Sequence, residues 1–518
     1  MYSRTRSAVC SGMEGREVYV ETDISRGLPG IGMVGLASTM VMESRERIRS
    51  AIENSGYDYP KGRITVNLTP ASLRKNSSCL DLPIAIGILA SEGNIRLRVA
   101  EDWGVIGELA LDGRVLGVEG ALPMMLHMKD LGIKGIIVPE ANRMEAALAG
   151  GNIFTVKSLR ECARLMCMDP VKAMEDPEIR EIFVHKVDIT HEFGAESEIK
   201  NAGISDDPDF GDIVGQENAK RAVVIAAAGR HGLLMVGSPG CGKTMIAGRM
   251  AGVMPAMTER EMFETAIVRS VAGRGDDSFR LYKTRPFRAP HHTIGRAGLI
   301  GGGLYPVPGE ITLAHNGVLF LDEICEFNKE TIESLRVPME EKKITHFRKG
   351  EPYTFPCNCQ IVMAANPCPC GYFGDRDRKC TCTQADLERY RRKLSGPIID
   401  RIDMYITMEK VAYEDLSGKK SGMTTDEMRR QVSRAIAFAR KEGRVTFNAD
   451  LSTKEIDAYC RLGDAERKFM NRAYDAFAMS PRAYTRTLKV ARTIADLAES
   501  EEIKTEHIAE ALNYRMKE

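Results

Sequence analysis

Residues 237–244 read Gly-Ser-Pro-Gly-Cys-Gly-Lys-Thr, and no other stretch narrows so far the folds open to this chain. A glycine, four residues of any kind and then Gly-Lys-Ser/Thr make a phosphate-binding loop. The apolar run Leu233–Val236 before it reads as a buried parallel strand. The glycines let successive backbone N–H groups turn inward, and the following helix aims its N-terminus at the same point. Gly237, Ser238, Pro239, Gly240, Cys241 and Gly242 form the cradle, Lys243 adds a cation for the β- and γ-phosphates, and Thr244 is placed to hold Mg²⁺.

A second run supports this reading. Gly317-Val-Leu-Phe-Leu-Asp-Glu323 is an apolar strand that delivers two carboxylates at its C-terminal end, where a sheet of this type places metal and water. Asp322 is assigned to Mg²⁺, directly or through water, and Glu323 to polarising the attacking water. Together the two elements imply an α/β fold and ATP hydrolysis.

The chain has 518 residues, enough for about three domains, each able to bury its own core. Lysine plus arginine and aspartate plus glutamate both total 72, so any nucleic-acid surface must be a local patch. No run approaches the length of a membrane span and no signal-like segment opens the chain, so a cytoplasmic, non-membrane protein is expected. Thirteen cysteines in a reducing compartment point to metal before disulfide where they cluster.

Residues 1–165 mix strand-like runs (Glu17–Glu21, Arg63–Asn67, Gly135–Pro139) with helical ones (Thr39–Asn54, Leu82–Ala90), and the glycines of 27–32 mark a turn. Gly107-Glu-Leu-Ala-Leu-Asp-Gly-Arg-Val-Leu116 and Lys134-Gly-Ile-Ile-Val-Pro-Glu140 resemble the proteolytic domain of Lon-type proteases, an α+β domain of the ribosomal S5 domain 2-like kind. That family works with a serine and a lysine. Leu122 and Met124 stand here where lysines are expected, which leaves Ser77, Ser78 and Cys79 without a base. Lys75 is the one nearby alternative, and the domain is expected to be inactive as a protease. Residues 166–205 turn acidic and polar, with Asp-Pro breaks, and read as a linker containing some helix.

Downstream, Gly215-Gln216 precedes a helical run, as in the adenine-side segment of AAA+ ATPases, although a plain amphipathic helix is an equal reading. Arg285-Pro-Phe-Arg-Ala-Pro-His-His-Thr-Ile-Gly-Arg296 carries two adjacent histidines. In an extended segment these point to opposite faces, which favours a structural or nucleic-acid-contact role over a metal site. Pro-His-His, the glycines of 298–303, Pro308-Gly-Glu310 and the segment ending at Glu323 resemble the magnesium-chelatase-like AAA+ ATPases of the YifB/ComM family. The resemblance covers nearly the whole chain. It implies an AAA+ core over 206–410 with insertions near 265–300 and at the basic hairpin Ile344–Phe355, followed by a helical lid over 411–518. Lys342, Lys343, Arg348 and Lys349 would line a ring's pore and track a phosphate backbone, unless the hairpin is simply a solvated tip.

The same resemblance assigns Asn366 as a γ-phosphate sensor and Arg401 as a finger reaching a neighbour's nucleotide, with a local ion pair to Asp400 or Asp403 as the alternative. Arg482, in Ser480-Pro-Arg482, is the lid arginine, with Arg486 its nearest competitor. Cys368-Pro-Cys370 and Cys380-Thr-Cys382, inside the loop 368–382, can close on a structural Zn²⁺. The one-residue spacing is tight, free thiols are the other reading, and Cys357 and Cys359 are possible substitutes. Helical periodicity runs through Thr425–Lys441, Thr453–Tyr459, Asp464–Ala478, Tyr484–Glu499 and Thr505–Arg515, with Ser452, Ser480 and Thr505 as caps. The expectation is a homohexameric ATP- and Mg²⁺-dependent motor. For this family the resemblance implies a translocase or helicase on single-stranded or branched DNA during recombination of incoming strands. A chelatase-type motor acting on a partner protein and an ATP-dependent protease are the alternatives.

Overall fold

The computed structural model describes residues 2–35, 39–73, 75, 78–97, 99–177, 179, 181–184, 209–273, 284–348, 350–375, 377–394, 398, 401–410 and 422–515. Ser77, Lys349, Asp400 and the linker beyond residue 184 lie outside these residues. The chain forms two compact units. The first is assembled from Met1–Glu198, Glu259–Tyr282 and His346–Thr354, and the second from Ile199–Thr258, Lys283–Thr345 and Phe355–Glu518.

The first unit is built on strands β1 (Tyr2–Ser11), β2 (Glu14–Ser25), β3 (Gly30–Val34), β4 (Arg63–Thr69), β5 (Trp103–Val105), β8 (Gly135–Pro139), β9 (Ile153–Val156) and β10 (Phe183–Val184), with β6 (Glu108–Leu109) and β7 (Val115–Leu116) forming a separate pair. The eight run in the order β10-β9-β8-β5-β1-β2-β4-β3, a mixed sheet. Helix Asp81–Glu92 is apolar on all sides and buried almost throughout, as a helix enclosed by its own domain must be.

Ordered structure continues past residue 165, where the linker was expected to begin. Helix Pro170–Glu175 is capped by Asp169, Trp103 Nε1 donates to the Met168 carbonyl at 3.0 Å, and β10 pairs antiparallel with β9. Local composition there is polar, but these long-range partners fix it. Helix Glu259–Val271 also belongs to this unit: the Ser270 carbonyl accepts from Gly120 N at 2.9 Å, its hydroxyl accepts from Leu122 N at 3.2 Å, and Ala266 joins the unit's core.

The second unit is built on β11 (Leu233–Gly237), β12 (Phe287–Arg288), β13 (Val318–Leu321), β16 (Gln360–Ala365) and β17 (Met404–Met408), all parallel and ordered β12-β13-β16-β11-β17. Leu233 and Met235 of β11 enter one core cluster and Leu234 and Val236 another, the two-sided burial that a parallel sheet requires. The hairpin β14 (Lys343–Arg348) and β15 (Glu351–Pro356) is a separate two-stranded sheet, and its residues His346–Thr354 belong to the first unit.

The C-terminal helices Thr425–Lys441, Thr453–Tyr459, Asp464–Ala476, Pro481–Leu497 and Thr505–Asn513 share the core of the Leu233 face. Ser452 and Ser480 cap as expected, the former in a capping box with Glu455. Thr505 does not: its hydroxyl donates to Glu466 at 2.9 Å, and Lys504 takes the cap position. Among the described residues no helix is long and apolar enough to cross a membrane.

Candidate nucleotide and metal sites

The loop after β11 turns as its glycines allow. Gly240 and Gly242 have φ of +80° and +96°, where a side chain is strained, and the helix Lys243–Val253 starts immediately after. Lys243 Nζ folds back over the loop and donates to the carbonyls of Gly237 at 2.6 Å and Ser238 at 3.2 Å and to Asn366 Oδ1 at 3.1 Å. Asn366 follows β16, the neighbour of β11, which is why a residue 123 positions away reaches the same amine. Gln216 adds a further tie: at φ of +58° it donates through Nε2 to the carbonyls of Cys241 at 3.2 Å and Glu409 at 2.5 Å.

Asp322 lies just past the end of β13, and its Oδ2 accepts from Thr244 Oγ1 at 2.8 Å. A hydroxyl and a carboxylate at one point offer the hard oxygen ligands that Mg²⁺ takes beside phosphate oxygens and water, so the donor set fits that ion. Glu323 adopts φ of +51°, its backbone N donates to Asp322 Oδ1 at 2.9 Å, and its Oε2 lies 3.5 Å from His292 Nδ1.

The two histidine rings lie side by side, tilted by 34° with centroids 4.1 Å apart, rather than facing opposite ways. The segment turns at 292–293 instead of running extended, and this brings His292 to the Glu323 carboxylate. Sequence reasoning missed that contact, because the separation along the chain gives no sign of it.

Lys243, Thr244, Asp322, Glu323 and Asn366 thus converge. Arg401 does not join them within one chain: its Nη2 meets Glu340 Oε1 at 2.5 Å. Asp403, an expected ion-pair partner of Arg401, instead faces His231 Nδ1 at 3.3 Å and accepts from Gly232 N at 3.2 Å. Arg482 is exposed on the first turn of its helix, and Arg486 donates to the Ile402 carbonyl at 2.7 Å.

Cys368, Cys370, Cys380 and Cys382 place their sulfurs within 4.8 Å of one another. Cys368 Sγ is 3.3 Å from Cys370 Sγ and 3.7 Å from Cys380 Sγ, and Cys370 Sγ is 3.5 Å from Cys380 Sγ. Tetrahedral Zn²⁺ with bonds of about 2.3 Å needs sulfurs about 3.8 Å apart, so four soft ligands stand at the right scale. Cys370 N also donates to Cys382 Sγ at 3.4 Å. Cys357 and Cys359 are buried and are not in this group; the Cys357 thiol faces the Pro338 carbonyl instead.

In the first unit, Ser78 Oγ bonds Glu108 Oε2, and Cys79 is fully buried with its thiol toward the Ala8 carbonyl. Lys75 Nζ donates to the carbonyls of Leu68, Gly35 and Pro70, and burial lowers its pKa to about 8. Leu122 and Met124 are fully buried. Just before the hairpin, Lys342 pairs with Asp450 at 3.2 Å, while Lys343, Phe347 and Arg348 on β14 are exposed, Phe347 at 68%.

Three family models match in succession: subunit ChlI of Mg-chelatase over residues 20–142, magnesium chelatase subunit ChlI over 209–416, and the ChlI C-terminal region over 422–515. Competence protein ComM of Haemophilus influenzae is 39% identical over 511 residues, covering 98% of this chain and 96% of that protein. The uncharacterized protein YifB of Escherichia coli is 38% identical over 518 residues, covering 99% and 96%. Lon protease of Mycolicibacterium smegmatis is 23% identical over 140 residues, 26% of this chain and 18% of that protein.

Proposed function

Because this chain belongs to the magnesium-chelatase-like ComM/YifB family of AAA+ ATPases, we propose that it is a homohexameric, cytoplasmic motor that spends ATP to translocate single-stranded or branched DNA during recombination. The observation that carries the DNA reading is the hairpin β14–β15. It exposes Phe347 and Arg348 in succession, an aromatic ring on which a base can stack and a cation for a phosphate. The relative named a competence protein agrees with such a substrate.

In this reading the loop N–H groups and Lys243 bind phosphate, and Thr244 and Asp322 would hold Mg²⁺, which would supply charge neutralisation at the phosphate oxygens. Glu323 accepts the proton of the attacking water, with His292 orienting its carboxylate. Asn366 links the γ-phosphate position to Lys243. Arg401 leaves Glu340 to complete a neighbour's site, and Arg482 closes the lid over the nucleotide of its own chain. Residues 1–165 serve recognition or assembly rather than proteolysis, since the Lys75 amine is engaged by three carbonyls and Ser78 by a carboxylate.

The test is ATP turnover with and without forked DNA, in wild type and in Arg348→Ala/Lys349→Ala. Stimulation by DNA that the double variant loses is the expected result. Turnover indifferent to both DNA and the substitutions would leave the chelatase-type reading, a motor acting on a partner protein, in its place.

A further inference from the structure

The four-cysteine loop touches the phosphate cradle. Gly371 turns back on Cys368, its N donating to the Cys368 carbonyl at 2.9 Å with φ of +84°. It lies so close to Pro239 that a β-carbon there would come within 2.8 Å of the proline ring. Asp375 accepts a hydrogen bond from Ser238, and its Oδ1 also accepts from Asp377 N at 2.9 Å and Arg378 N at 3.1 Å. Asp377 in turn pairs with Lys410 at 3.2 Å. The neighbouring Glu409 carbonyl receives Gln216, which donates also to Cys241 of the same cradle. The contacts close a circuit: cradle, cysteine loop, the chain after β17, Gln216, and cradle again.

Residues 371–379 form no helix or strand among those described, so their shape depends on what clamps the two ends. Tying Cys368 and Cys370 to Cys380 and Cys382 through one ion removes most of the loop's freedom. We propose that a zinc-class ion on these four cysteines is a strut of the nucleotide site: by fixing Gly371 and Asp375 against Pro239 and Ser238, it holds the cradle in its binding shape, so that loss of the ion weakens nucleotide binding. The proposal rests on the readings of the cysteines as a metal site and of the cradle as an ATP site. It adds that the two are coupled, with Asp375 as a positioning residue that touches neither metal nor phosphate.

The experiment measures two quantities on the full chain, zinc per chain by elemental analysis and the affinity for a fluorescent ADP with Mg²⁺ present. Each is taken before and after zinc is stripped and restored, with far-UV circular dichroism as the folding control. Removing a hydrogen bond to a charged acceptor is worth about tenfold in affinity. Stripping should therefore raise the Kd by about that factor or more, and restoring zinc should reverse it. Asp375→Ala should keep one zinc per chain and still raise the Kd severalfold, and Gly371→Ala, which drives a methyl into Pro239, should do the same. An unchanged Kd in the stripped, folded protein, or in Asp375→Ala with its zinc intact, overturns the coupling. A chain that takes up no zinc from excess overturns the metal reading beneath it, and a zinc-loaded wild type that binds no ADP overturns the site.

Discussion

Glu145 makes the first unit sensitive to pH in a way that can be worked through. Its side chain is almost wholly buried and accepts from Asn142 Nδ2 at 3.2 Å, from Ser270 and from Leu122 N, yet burial outweighs these bonds and pushes its pKa up to about 7 from the 4.5 of a solvated glutamate. The folded state therefore binds the proton more tightly than the unfolded chain between those two values. The penalty for ionising it in place is absent below pH 4.5 and complete above about pH 7.

Each pKa unit is worth about 1.4 kcal/mol, so the cost reaches about 3 kcal/mol at pH 8 and about 1 kcal/mol at pH 5. Glu145→Gln keeps an acceptor oxygen for Ser270 and Leu122 without the charge. It should stabilise the unit by about 2 kcal/mol at pH 8, and by little at pH 5. Trp103, the single tryptophan, is buried in this unit, so urea unfolding followed by its fluorescence reports the first unit alone. Asp81, raised to about 6 by burial, and Lys75, lowered to about 8, titrate in wild type and variant alike, so the difference between the two chains isolates Glu145. A variant whose unfolding midpoint tracks wild type at every pH would refute the reasoning.

Three further outcomes follow from the second unit. Glu323→Gln should retain nucleotide binding while turnover falls by about 10²- to 10³-fold, the share of a positioned base; phosphate release at the wild-type rate would remove Glu323 from that role. Arg401→Ala should cut turnover by about 10³-fold with each chain's own nucleotide affinity intact, whereas Glu340→Ala, which only frees the arginine, should not. Kinetics paired with light scattering distinguishes a lost finger from a lost assembly. Asp496→Ala should cost about 3–5 kcal/mol in urea unfolding followed by circular dichroism, since Arg444 and Arg492 share its buried carboxylate at 2.6 and 3.0 Å and would be left without it.

The parts of the site readable in the sequence were those whose chemistry is local. The cradle needs its glycines and its lysine in a row, the acid pair needs an apolar strand just before it, and the C-terminal helices announce themselves by period and by the caps Ser452 and Ser480. What stayed hidden depends on partners distant along the chain. Phe183–Val184 looks like polar linker until it meets β9. His292 meets Glu323 only because the histidine segment turns instead of running on. Nothing in the sequence of helix Glu259–Val271 tells that its Ser270 will receive Gly120 and Leu122.

The first unit's construction from three separate stretches limits how this chain can be cut or recombined. The backbone crosses between the units after residues 198, 258, 282, 345 and 354, so no single cut yields an intact half. A truncation starting at residue 199 would still carry helix Glu259–Val271 and residues 346–354 without the rest of their unit, with Ala266 newly wetted. A front domain divided along the chain in this way resists exchange as a cassette, and its inheritance is bound to that of the second unit whose sequence interrupts it.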